Sequence, residues 1–122
     1  MRALLCCASE EDRKDLVSLL GSLDVRAVAT ADCGEALDLA RQRRFELILV
    51  NLDADSNWRS ILAAFRAHAP LAGVLAYSRL PEEGLWLDAL DAGAFDFVCK
   101  PFRGPEVYWA FEHALKARRV AA

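Results

Sequence analysis

Residues 47–52 read LILVNL, five apolar side chains interrupted only by Asn51. An apolar run of this length without alternation is typical of a strand that is buried on both faces of a parallel sheet. Four more short apolar runs follow the same pattern, at residues 3–7, 25–30, 72–77 and 95–99. Together the five runs predict a five-stranded sheet at the centre of the protein.

Amphipathic stretches between and after these runs predict five helices, and Leu87 and Leu90 are expected to face the core in the fourth. The helices open at capping or helix-starting side chains: Ser9 with Asp12, Asp32 with Glu35, Asp55 or Ser56, Pro81, and Pro105. Strands that alternate with helices predict an α/β fold with right-handed crossovers. Because no glycine-rich phosphate loop occurs, we expect the flavodoxin-like (βα)5 sandwich with a parallel sheet in the order 2-1-3-4-5.

The bulk composition predicts one compact domain over residues 1–122, with residues 117–122 as a tail or the start of a linker. Hydrophobic residues make up 55% of the 122 positions and charged residues 27%. The net charge of −3 argues against non-specific nucleic-acid binding. No apolar run approaches the roughly 20 residues of a membrane span, and the amino terminus does not read as a signal peptide. We therefore expect a cytoplasmic protein.

Four cysteines occur, and their spacing does not suggest a metal or redox site. Cys6 and Cys7 are adjacent, Cys33 and Cys99 are isolated, and no CxxC pair is present. We expect all four to be small buried residues in a reducing compartment.

The segment GAFDFVCKPF, residues 93–102, resembles the Gly-Ala-x-x-(Tyr/Phe)-x-x-Lys-Pro-Phe segment of response-regulator (CheY-like) receiver domains, and the likeness extends over nearly the whole chain. The resemblance implies that Lys100 is the pocket lysine of that family, followed by Pro101 after a cis bond. It implies that Phe97 is the switch-like aromatic. It also implies that Ser78 is the hydroxyl that would hydrogen-bond a phosphoryl oxygen.

Three positions depart from the family pattern at the site where receiver domains are phosphorylated. Asn51 stands at the phosphoacceptor aspartate, and an amide has no anionic oxygen to attack a phosphohistidine. Cys7 and Ala8 stand where the family places two acidic Mg²⁺ ligands. We therefore expect a pseudo-receiver, which is a regulatory module without catalytic activity, bound metal or cofactor.

Several alternatives stay open. Lys100 is expected to hydrogen-bond Asn51 or a strand-end carbonyl, although an anionic ligand is another candidate partner for it. A displaced carboxylate such as Asp53 would make the chain a phosphorylatable receiver. A small-ligand-binding domain or an enzyme on the same fold is a third possibility, but no phosphate-cradling loop or catalytic triad supports it.

Two tryptophans point to a protein partner. Helical phase places Trp86 in the fourth helix and Trp109 in the fifth away from the core stripe. Large aromatic side chains are common at the centre of interfaces. The helix 4–strand 5–helix 5 face is therefore expected to form a homodimer or to bind a protein, which includes an output domain fused in a longer chain.

Overall fold

The computed structural model describes residues 1–79 and 83–121 and has alternating strands and helices along the chain. The strands are β1 (Arg2–Cys6), β2 (Arg26–Thr30), β3 (Leu47–Asn51), β4 (Gly73–Tyr77) and β5 (Asp96–Val98). The helices are α1 (Glu10–Ser22), α2 (Cys33–Gln42), α3 (Trp58–His68), α4 (Glu83–Ala92) and α5 (Gly104–Ala121), with a 3-10 turn at Leu52–Ala54. The strands pair in parallel in the order β2-β1-β3-β4-β5. This confirms the predicted flavodoxin-like fold.

The central strands separate two cores. Every residue of β3 and of β4 is buried, as their apolar runs predict, and this includes Asn51 at the end of β3. On one face, Ile48 and Val50 pack in a cluster with Phe65 of α3. On the other face, Leu47 and Leu49 pack in a cluster with α1 and α5 side chains. The sheet is thus covered on both sides, and its strand ends are the places left for a site.

The ends of the helices differ in part from the prediction. Ser9 and Asp32 are the N-caps of α1 and α2, as expected, and each side chain accepts a backbone N–H. α3 begins one residue after Asn57 instead of at Asp55 or Ser56, because the Asp55 carboxylate accepts the Asn57 N–H and closes a turn before the helix. The predicted start of the fourth helix at Pro81 lies outside the described residues.

Three further expectations need correction or extension. Leu87 is exposed and Ala89 is fully buried, so α4 turns its small residue, not Leu87, toward the sheet. The backbone of the predicted tail is helical as far as Ala121. Cys6, Cys7 and Cys33 are buried, but Cys99 is exposed because it follows the short edge strand β5. Within the described ranges, no helix is both long and apolar enough to cross a membrane.

Candidate functional site

The carboxyl ends of β1, β3 and β4 bring the predicted pocket residues to one edge of the sheet, as parallel strands require. Cys7, Asn51 and Ser78 are buried there, and Ala8 is exposed beside them. Lys100 reaches the same edge from the loop after β5 and is followed by the cis peptide bond to Pro101. The fold therefore gathers the residues that the resemblance singles out.

Lys100 pairs with Asp12, and the predicted contact with Asn51 is wrong. The Lys100 Nζ atom lies 2.6 Å from Asp12 Oδ1, and the Asp12 side chain is only 1% exposed. Asp12 lies in the first turn of α1, where its N–H donates to Ser9 Oγ and its carboxylate turns inward. An ammonium group prefers a carboxylate to a neutral amide because the charge-assisted hydrogen bond is stronger.

Tyr77 joins this pair to Cys7. The buried Tyr77 hydroxyl donates to Asp12 Oδ2 at 3.3 Å and also contacts Cys7 Sγ. Burial raises the pKa of the Cys7 thiol, although the contacts with Tyr77 and with the Ser9 carbonyl oppose that shift. Burial and the contact with Cys7 likewise raise the pKa of Tyr77. Because metals bind the thiolate form of cysteine, a neutral Cys7 thiol is not a cation ligand.

A second group of contacts holds Asp53, two residues after Asn51. Asp53 Oδ1 accepts the Ser78 hydroxyl at 2.9 Å, and Asp53 Oδ2 accepts the Arg79 N–H at 2.7 Å. The Asp53 N–H in turn donates to Asn51 Oδ1 at 2.9 Å. Asp53 lies in the 3-10 turn that follows β3, and Asn51 is the N-cap of that turn. The Asp53 carboxylate thus accepts hydrogen bonds from the Ser78 hydroxyl and from the Arg79 N–H.

The arrangement does not suit Mg²⁺, which the family resemblance would imply. Mg²⁺ prefers hard oxygen ligands and usually one or two carboxylates, whereas the strand-end positions here hold a thiol, a methyl group and an amide. The Asn51 Nδ2 atom is buried and has no hydrogen-bond partner within the described part of the chain. The described residues contain no cluster of three or more potential metal ligands. The two carboxylates at this edge are instead bound by protein donors.

The aromatic residues are divided between core and surface. Phe97 in β5 is half-buried and packs against the cluster that contains Phe65. Trp86 is 48% exposed and Trp109 is 55% exposed, in agreement with their helical phase. α4 and α5 both contact β5, so the helices that carry the two tryptophans flank the same edge strand. Beside that strand lies a groove of about 400 Å³ whose walls include Phe97, Pro105 and Trp109.

Three residues of this site could not be recognised from the sequence. The spacing of Asp12 from Ser9 predicts a capping residue, and nothing in the sequence directs its carboxylate toward residue 100. Tyr77 was treated only as a strand residue. Arg79 contributes a backbone N–H, which any residue but proline supplies. The available signal was the pair Ser9–Asp12 itself, since an acid in that turn lies next to the end of β1.

Comparison with known proteins gives related sequences and folds. No family model matches the sequence. The chain is 28% identical over 106 residues to the chemotaxis protein CheY of Listeria monocytogenes, which covers 85% of this chain and 89% of that protein. Among solved structures, NtrX from Brucella abortus superposes with a TM-score of 0.88 at 19% identity, over 98% of this chain and only 27% of that longer one. The beryllofluoride-activated NtrC4 receiver domain dimer superposes with a TM-score of 0.84 at 18% identity, over 96% of this chain and 98% of that one.

Proposed function

We propose that this chain, a response-regulator receiver domain of the CheY-like type, regulates its partners without being phosphorylated. It would act as a binding module and not as an enzyme. The proposal rests on the site: Asn51 stands at the position of the phosphoacceptor, and Cys7 and Ala8 stand at the positions of the metal ligands. Lys100 and Ser78 already bind the carboxylates of Asp12 and Asp53. The direct test is whether a small-molecule phosphodonor adds mass to the unaltered chain, and we expect that it does not.

The observation that carries this proposal is the hydrogen bond between the Ser78 hydroxyl and the Asp53 carboxylate. The resemblance assigns to Ser78 the hydrogen bond to a phosphoryl oxygen, and here that hydroxyl donates to Asp53 Oδ1 at 2.9 Å. The Arg79 N–H fixes the other oxygen. If Ser78 has the role that the resemblance implies, the Asp53 carboxylate accepts the hydrogen bond that a phosphoryl oxygen would otherwise accept. The pocket is expected to hold one state regardless of phosphodonors.

The alternative, phosphorylation of Asp53 itself, has less support from this geometry. Both Asp53 oxygens accept short hydrogen bonds, so attack on a phosphodonor would cost those contacts. Within the described part of the chain, no cluster of metal ligands lies beside Asp53 to hold a cation that would offset the developing charge. Peptide mapping distinguishes the two hypotheses, because only phosphorylation of Asp53 predicts a phosphoryl group on a peptide that contains this residue.

The proposed output surface is the α4–β5–α5 face, defined by Trp86 on α4, the edge strand β5 and Trp109 on α5. Trp109 stacks on His113 with ring centroids 3.8 Å apart, which holds its indole in one orientation on the surface. A preorganised, exposed aromatic side chain loses little entropy on binding. We therefore propose that this face forms a homodimer or binds a partner protein, as the NtrC4 receiver domain is a dimer in its solution structure.

Replacing Trp109 by alanine is expected to weaken self-association at least about tenfold, because buried aromatic anchors carry roughly 2 kcal/mol or more of binding energy. Thermal stability should change little, since the indole is about half exposed. Sedimentation velocity over a range of concentrations measures the association. Val17→Ala is the matched control, because Val17 is an exposed apolar residue of α1. A strictly monomeric parent chain would contradict the dimer. In that case a large loss of stability in Trp109→Ala would make the residue part of the core.

A further inference from the structure

A groove of about 260 Å³ lies at the amino-terminal ends of β3 and β4, on the opposite edge of the sheet from Asn51 and Ser78. The segment between α2 and β3 forms one wall, and the segment between α3 and β4 forms the other. Its charged lining residues are all arginines, Arg41, Arg43 and Arg44, and His68 lies beside them. Among the described residues that line it, none is acidic.

This clustering of positive charge is unusual for a chain whose net charge is −3. Two nitrogens of Arg41 already have partners: Nη1 lies 3.3 Å from Asp38 Oδ1, and Nη2 lies 3.3 Å from His68 Nε2. Within the described part of the chain, Arg43 and Arg44 form no ion pair. The three arginines follow one another closely at the carboxyl end of α2, and their combined charge would attract an anionic group to the groove. Guanidinium groups also bind carboxylates in a planar, bidentate manner.

The same groove has an apolar border. Leu71 is 55% exposed, and Pro70 beside it is exposed as well, while Phe45 is buried in the floor. A simple anion would contact the arginines and leave Leu71 in water. A peptide that places an apolar side chain next to acidic ones would use both features. The groove is also smaller than the roughly 300–1,000 Å³ typical of small-molecule sites, and it suits one or two side chains.

We infer that this groove is a docking site for an acidic peptide segment of a partner protein, with the arginines binding carboxylates and Leu71 covering an apolar side chain. The site is separate from the α4–β5–α5 face and does not depend on how the Asn51 pocket works. It gives the domain a second surface through which a partner could be selected by charge.

The test uses a fluorescein-labelled peptide in which two leucines are flanked by glutamates, and a matched peptide with glutamines in place of the glutamates. Fluorescence anisotropy should show saturable binding of the glutamate peptide and no saturable binding of the glutamine peptide. Amide shifts of Ala69, Leu71 and Ala72 should move during the titration. The variant Arg41→Gln/Arg43→Gln/Arg44→Gln should weaken binding at least about tenfold, which corresponds to roughly 1.4 kcal/mol.

The control variant is Lys14→Gln/Arg26→Gln/Arg103→Gln, which removes the same charge at positions outside the groove lining. It should bind the acidic peptide nearly as well as the parent chain. Equal weakening by both triple variants would mean that binding follows net charge, and the docking groove would be refuted. Inorganic phosphate that competes as effectively as the peptide, with Leu71→Ser having no effect, would make the groove a simple oxyanion site and would also refute the inference.

Discussion

Replacing Lys100 by methionine is expected to destabilise the domain by about 3 kcal/mol, the low end of the roughly 3–5 kcal/mol observed when one partner of a buried ion pair is removed. The low end applies because the Lys100 side chain is 34% exposed, whereas the Asp12 side chain is 1% exposed. Methionine keeps most of the apolar length of lysine, so the loss of stability reports the removal of the charge and not of the apolar contacts. Without Lys100, the Asp12 carboxylate would stay buried with Tyr77 as its only other side-chain donor in the described structure. Urea unfolding at neutral pH measures the change in the free energy of unfolding.

The exposed pair in the same chain provides the control. Lys14 and Glu10 lie 3.4 Å apart with side chains 77% and 72% exposed, so Lys14→Met should cost only about 0–1 kcal/mol. The double variant Asp12→Asn/Lys100→Met should be more stable than Lys100→Met alone, because asparagine removes the unpaired buried charge. If Lys100→Met were no more harmful than Lys14→Met, the ion pair with Asp12 would not be structural.

Replacing Asn51 by aspartate is expected to leave the chain unphosphorylated, although it restores the acceptor of the receiver family. The new carboxylate would have no cation beside it, because Cys7 is a buried thiol and Ala8 a methyl group. Lys100 would remain engaged by Asp12 and Ser78 by Asp53. The change should also lower the free energy of unfolding by roughly 1–3 kcal/mol, since Asn51 is buried and a charged group gains no compensating donor.

Intact-mass spectrometry after incubation with acetyl phosphate and Mg²⁺ follows the labelling of Asn51→Asp. The matched comparison is the variant Cys7→Asp/Ala8→Asp/Asn51→Asp, which supplies all three missing carboxylates and tests whether they suffice for labelling while Lys100 and Ser78 keep their present partners. Rapid labelling of Asn51→Asp alone would contradict the role assigned here to Cys7 and Ala8. Circular dichroism on each variant separates a lack of labelling from a failure to fold.

The sheet could be predicted because burial on both faces leaves a direct trace in the sequence. The runs around Leu47 and Val74 are apolar at nearly every position, and no partner residue is needed to recognise them. The helix phase of Trp86 and Trp109 was equally readable, since it depends only on neighbours within the same helix. Leu87 was assigned to the wrong side because α4 carries apolar residues on more than one face, so that periodicity alone does not select one.

The polar contacts of the site could not be predicted in the same way, since they depend on distances between elements. Asp12 and Lys100 are separated by 88 residues along the chain, and only the packing of α1 against the strand ends brings them together. The hydrogen bonds of Asp53 depend on the path of the chain after β3, which brings it to Ser78 and Arg79. In both cases the fold brings a carboxylate to a donor from another part of the chain, Asp12 to Lys100 and Asp53 to Ser78.

The most direct test of the account is the mass of the unaltered chain after incubation with acetyl phosphate or phosphoramidate and Mg²⁺, with a conventional receiver domain labelled in parallel. The account predicts that the conventional domain gains the mass of one phosphoryl group while this chain gains none, because Asn51 has no nucleophilic carboxylate and Asp53 is held by Ser78 and Arg79. An acid-labile phosphoryl group on this chain, located by peptide mapping to Asp53 or to any other carboxylate of the site, would contradict it.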